Sequence, residues 1–150
     1  MKLLKLPIAV LGYSLIAIFL SATPAMSQEV LRPISPKFTP DPQVYSGNAS
    51  GGLPLQSVAN RKANGQCQGL TQQSANHSLT LQKNFGFLAL KLISDRNLSL
   101  LVQGPDGVYC RSGKNPELSG AWMAGKYEIW VGTMNGESSS YQLTISETNQ

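Results

Sequence analysis

Phe87-Leu88-Ala89-Leu90-Lys91-Leu92-Ile93-Ser94 sets Leu88, Leu90 and Leu92 on one side of an extended chain and Lys91 on the other. Side chains of a strand alternate between faces, so this period of two predicts a strand with one buried face and one wet face. Asp95-Arg96-Asn97 then reads as a turn, and Leu98 to Gln103 as the returning strand of a hairpin. Gly104-Pro105-Asp106-Gly107 is a second turn, because proline presets φ and glycine admits positive φ. Val108-Tyr109-Cys110 follows as a short strand.

The same alternation runs outward in both directions. After a turn at Ala124-Gly125, Tyr127, Ile129 and Val131 alternate with Lys126, Glu128 and Trp130, and later Tyr141, Leu143 and Ile145 alternate with Gln142, Thr144 and Ser146. Upstream, His77 to Gln82 alternates Leu79 and Leu81 with Ser78, Thr80 and Gln82, and Gln43 to Gly47 reads as a first strand. No segment carries a helical stripe. Six to eight short strands separated by Gly, Pro and Asn turns predict an all-β fold, an antiparallel β-sandwich of jelly-roll type. Half-polar strands fit antiparallel pairing, which can leave one face of each sheet in water.

The chain opens with Lys2 and Lys5, continues through an apolar run from Leu6 to Leu20, and reaches small residues at Ser21, Ala22, Ala25 and Ser27. That order is a secretory signal peptide over 1–27, cut between Ser27 and Gln28 or, alternatively, after Ala25. The apolar run is shorter than the roughly 20 residues a membrane-spanning helix needs. No cysteine lies near the cut to carry a lipid, so the mature protein is expected without a membrane anchor, in the periplasm or outside the cell. Residues 28–42, with Pro33, Pro36, Pro40 and Pro42, read as an extended lead-in that spaces the domain from the cut. The β-sandwich domain is expected over 43–147, with a tail at 148–150.

Losing Lys2 and Lys5 with the leader lowers the formal charge from +4 to about +2. Arg61-Lys62 is the one adjacent basic pair, and no stripe able to neutralise several phosphates is present, which excludes a nucleic-acid partner. Two cysteines, Cys67 and Cys110, in an exported chain point to a disulfide. The loop it would close, about 44 residues, corresponds to ~4 kcal/mol of chain entropy. A redox pair would instead stand as Cys-x-x-Cys.

Gly47-Asn48-Ala49-Ser50-Gly51-Gly52, Cys67, His77, Leu98 to Gly107, Tyr109-Cys110, Asn115-Pro116, Gly120-Ala121-Trp122, Gly125-Lys126-Tyr127, Ile129-Trp130-Val131-Gly132 and Tyr141-Gln142-Leu143 occur in an order that is informative. Over residues 43–147 it resembles a small exported β-sandwich module of cyanobacteria, related to bacterial pre-peptidase C-terminal domains. The resemblance implies a β-sandwich, a Cys67–Cys110 bridge and an accessory, non-catalytic role beside other exported proteins. Where many such domains carry an acidic pair after the second cysteine, some with calcium, this chain has Arg111 and Ser112 and lacks the carboxylates a hard cation requires.

Catalytic constellations are sparse. His77 is the one histidine, and its place at the start of an alternating strand gives it a structural or surface role. No Gly-x-Ser-x-Gly elbow, phosphate-binding loop or His-Glu-x-x-His zinc motif occurs. A carboxylate-pair hydrolase needs only two acids, but Asp106 and most others fall in turns, the lead-in or outward positions. Tyr127 and Tyr141 are in step with core aliphatics. Trp130 is out of step and belongs to the opposite face, Trp122 precedes a glycine turn, and together with Tyr109 these rings form the candidate ligand-binding site. The alternative for Trp130 is that it lies under a loop.

These residues suggest an exported, non-catalytic accessory or binding module of the cell envelope, with a glycan or another exported protein as ligand and neither metal nor cofactor. A structural envelope protein acting through protein contacts is the second possibility, and a carboxylate hydrolase the third. Exposed tryptophans beside polar groups would mark the ligand binder, an open sheet edge the structural protein, and two acids facing one cleft the hydrolase.

Overall fold

A computed structural model describes residues 27–65 and 67–149. The expected signal peptide lies outside the described residues except for Ser27. In chain order the elements are β1 (Glu29–Val30), β2 (Gln43–Ala49), β3 (Leu53–Pro54), a single helical turn α1 (Leu55–Val58), β4 (Leu70–Thr71), β5 (His77–Leu81), β6 (Phe85–Ile93), β7 (Leu98–Gly104), β8 (Gly107–Gly113), β9 (Glu117–Trp122), β10 (Gly125–Thr133) and β11 (Ser139–Ser146).

They form two sheets. One runs β2-β11-β6-β9. The other is built on β10, with β5 along one edge of its first half, β4 at its end and β7 along the opposite edge, extended by β1, β3 and β8. Every pair is antiparallel except β1 with β5. Between the sheets, Leu88, Leu90 and Leu92 of β6 are fully buried against Leu98, Leu100, Val102, Ile129, Val131, Leu143 and Ile145. Each such side chain contributes about 1.5–3 kcal/mol when withdrawn from water. The disulfide-stapled β-sandwich expected from the sequence is therefore present.

The hairpin expected across Asp95-Arg96-Asn97 is not. β6 lies in one sheet and β7 in the other, so those three residues carry the chain between sheets. The reason is in Leu98-Ser99-Leu100-Leu101-Val102. Leu98, Leu100 and Val102 enter the core between the sheets, while Leu101 is buried on the far side. A strand apolar on both faces belongs in the middle of a covered sheet. Beside β6 it would have turned Leu101 toward the water that half-exposed Lys91 and exposed Ile93 face.

Residues 28–42 are likewise not a free spacer. Leu31 and Ile34 are each 2% exposed and belong to the main core. The Leu31 and Ile34 amides donate to the Ser78 and Thr80 carbonyls at 2.8 and 3.1 Å, and the Gln82 amide donates back to Ile34 at 2.9 Å. Prolines are tolerated because the segment lies along an edge, where a missing N–H need not break a ladder. The peptide bonds before Pro40 and Pro42 are cis.

Over the far side of the larger sheet lies the aperiodic stretch 55–75, which the alternation of strands did not reveal as core. Leu55 and Ala75, with Val58, Ala59 and Ala63 at their margin, cover Leu101, Val108, Cys110 and Trp130. The Cys67–Cys110 disulfide, with Cα atoms 5.2 Å apart, fastens this cover to β8. Asn64 adds a short ladder, its amide donating to Val108 at 2.6 Å and its carbonyl accepting from Cys110 at 2.9 Å.

Candidate functional site

Only two of the three expected ring residues come together. Tyr109 on β8 and Trp122 at the end of β9 line one cleft of about 200 Å³ with Asp106, Leu118, Ser119, Gly120 and Ala121. The cleft sits on the open side of the sandwich, where the β8 edge of one sheet passes the β9 edge of the other. The tight β7–β8 turn, Gly104 paired with Gly107, places Asp106 three residues before Tyr109, whose hydroxyl points to the carboxylate at 3.4 Å. Burial and the Asp106 charge both hold the Tyr109 phenol above its ordinary range. The Asp106-x-x-Tyr109 spacing across a turn was the signal that could have joined these two residues in the sequence.

Trp122 lies within β9 and not in a loop, and it is only 9% exposed. β6 has a register shift between Phe85 and Leu88, where one extra residue interrupts the ladder. The Trp122 indole N–H donates to the Leu88 carbonyl there at 2.8 Å. Its ring meets Tyr127 of the other sheet edge to face, centroids 5.1 Å apart. Tyr127 in turn donates to the Met123 carbonyl, and burial pushes its phenol up to about 12.

Trp130 occupies the face opposite Tyr127 and Ile129, as its phase requires, but it is 4% exposed beneath the 55–75 cover. Its N–H donates to the Gln73 carbonyl at 3.3 Å. Trp122 keeps 9% and Trp130 4% of its surface exposed, too little for a ring to stack on a ligand. The loop-covered alternative describes Trp130.

His77, which showed no partner in the sequence, has two. At 1% exposure, its Nδ1 lies 2.8 Å from a Glu29 carboxylate oxygen, and its Nε2 lies 2.8 Å from the Tyr141 hydroxyl. Glu29 comes from the lead-in and Tyr141 from the other sheet, so the imidazole ties three distant parts of the chain. Buried between these two partners, the ring is a structural relay. Burial lowers the His77 pKa more than Glu29 raises it. The unfolded chain therefore takes up the proton first, near pH 6.5, and stability falls as pH drops from there through the lower folded value. We expect the thermal midpoint to fall more in wild type than in His77→Gln between pH 7.5 and pH 5. Equal slopes would remove His77 as the cause.

The acids are dispersed. Glu117 pairs with Lys91, Glu128 with Lys126 and Glu137 with Arg96, at 3.8, 3.8 and 2.6 Å. Arg96 and a hydrogen bond from Asn135 hold the exposed Glu137 carboxyl below its usual range, the Arg96 hydrogen bond foremost. Asp41 and Glu147 meet at the exposed end of β11, where each accepts a backbone amide, from Glu147 and Lys37 respectively. None of these pairs flanks the Tyr109 cleft.

Fold and site thus define a disulfide-stapled all-β module with one small, polar-lipped cleft at the meeting of its sheet edges. No family model matches the chain. Over 64 residues it is 41% identical to an uncharacterized protein of Synechococcus elongatus, a match covering 41% of this chain and 48% of that protein. The chain thus spans about half the length of the relative it matches. Among solved structures it is similar to a pre-peptidase C-terminal domain of collagenase from Bacillus anthracis, with a TM-score of 0.48, 10% identity and coverage of 80% of this chain and 97% of that one.

Proposed function

We propose that this chain is an exported, non-catalytic accessory module of the cell envelope that works by contact with another exported protein. The observation that carries this reading is the burial of both tryptophans, each with its indole N–H bonded to a backbone carbonyl. A glycan binder needs a ring face open to stack on sugar, and these rings have been used to build the fold. The Tyr109 cleft instead offers an apolar wall, a hydroxyl and the Asp106 carboxylate at a sheet edge, which suits a peptide side chain carrying a donor. The charged, apolar and small-residue order of residues 1–27 and the disulfide support export.

The test is co-sedimentation of the oxidised mature protein with separated protein and polysaccharide fractions of the envelope. We expect saturable binding to the protein fraction, weakened about tenfold by Tyr109→Ala, the loss expected of a modest anchor residue. The thermal midpoint of that variant should match wild type. Binding to polysaccharide, or binding indifferent to Tyr109, would overturn the proposal.

A further inference from the structure

A sheet edge is a row of unpaired N–H and C=O groups open to another chain, and proteins usually blunt it. Four edges here are blunted. The outer side of β8 is bonded by Asn64 and locked by the disulfide. β9 carries Glu117, an irregular register against β6, and Gly120 at φ 143°. β1 and β3 are two residues long, and β3 ends in Pro54.

β2 has none of these devices. Its seven residues, Gln-Val-Tyr-Ser-Gly-Asn-Ala, contain no charge and no proline. Its register with β11 is unbroken from Gln43↔Ile145 to Ala49↔Ser139. Among the described residues it pairs with β11 alone.

We propose that β2 is a dimer interface, two copies pairing antiparallel about a two-fold axis through Ser46 and joining their four-stranded sheets into one of eight. The choice of a second copy rests on self-match. Two-fold pairing sets Ser46 opposite Ser46, Val44 opposite Asn48 and Tyr45 opposite Gly47, so no like charges meet and no two bulky side chains stand opposite each other. Val44, 50% exposed on the outer face, gains a neighbour in Asn48. A neutral strand has no charge with which to select a foreign chain of opposite sign. The small net charge of the chain leaves little repulsion between copies.

Sedimentation equilibrium of the oxidised mature protein tests this. Wild type should dimerise, Ser46→Lys and Ser46→Glu should each weaken the dimer at least tenfold through like charges meeting at the axis, and an equimolar mixture of the two should restore it. Ser46 is exposed, and thermal melts will show that both variants fold. Monomeric wild type at about 1 mM, where an interface worth −4 kcal/mol would already be half assembled, overturns the proposal. So does a dimer that either single variant leaves intact, or a mixture that stays monomeric. Tyr109→Ala should not alter the dimer, so this proposal and the partner-binding reading fail separately.

Discussion

Removal of the Cys67–Cys110 bond, by reduction or by the double substitution Cys67→Ala and Cys110→Ala, is expected to cost about 4 kcal/mol from loop closure. The two cysteines are 43 residues apart, and the bridge anchors the end of the stretch whose Leu55, Val58, Ala59 and Ala63 cover the outer core. Without the bridge that cover is held to β8 by the Asn64 bonds, by the Gln68 amide donating to the Ser112 hydroxyl and by the packing of Leu55 and Ala75 in the outer core. For a domain of this size each kcal/mol moves the midpoint by about 3–6 °C, so melting with and without reductant should differ by roughly 10–20 °C. Trp130 fluorescence should report the outer core opening no later than the main one. A difference below about 1 kcal/mol would mean that packing alone holds the cover.

Trp122→Ala is expected to be as damaging. Truncating a buried tryptophan costs about 3–5 kcal/mol, and the edge-to-face contact with Tyr127 adds about 0.5–1.5 kcal/mol of specific interaction. The Leu88 carbonyl would also lose its partner at a place where the register shift has already interrupted the ladder. Trp122→Phe separates the two contributions: it keeps most of the hydrocarbon and should lose about 1–3 kcal/mol, mainly from the unsatisfied carbonyl. Urea unfolding of the three proteins checks the order. Equal stability of the Phe variant and wild type would show that the indole N–H contributes nothing.

Period-two alternation made much of the main sandwich legible, because Leu88, Leu90 and Leu92, or Tyr127, Ile129 and Val131, face one shared core while Lys91 and Lys126 on the opposite faces reach water. It failed where a second layer exists. Trp130 was correctly placed on the opposite face, but the residues that bury it lie in 55–75, where Leu55, Val58, Ala59 and Ala63 have no strand period to betray them. Leu101 was the overlooked sign, since an aliphatic residue on the supposedly wet face implies that the face is covered. The lead-in misled for a related reason: four prolines signal an extended chain, and extension is equally what an edge strand requires, so only Leu31 and Ile34 distinguished docking from spacing. The site was legible as residue types and not as an arrangement. Tyr109 and Trp122 meet because two sheets bring β8 and β9 together, a distance that no local spacing encodes.

The relay at His77 bears on the order in which the molecule can be completed. It joins Glu29, among the first residues of the domain, to Tyr141 in its last strand, and the imidazole between them is satisfied only when both are present. A chain is synthesised from its N-terminus, so for almost the whole of its synthesis this centre is one hydroxyl short, and the main core lacks Leu143 and Ile145 as well. Long-range closure of this kind is slow, and a sheet that misses a strand of its smaller half has little reason to close early. The fold therefore carries its own delay: the polypeptide stays pliable while it is being made and sets hard only when its final strand arrives.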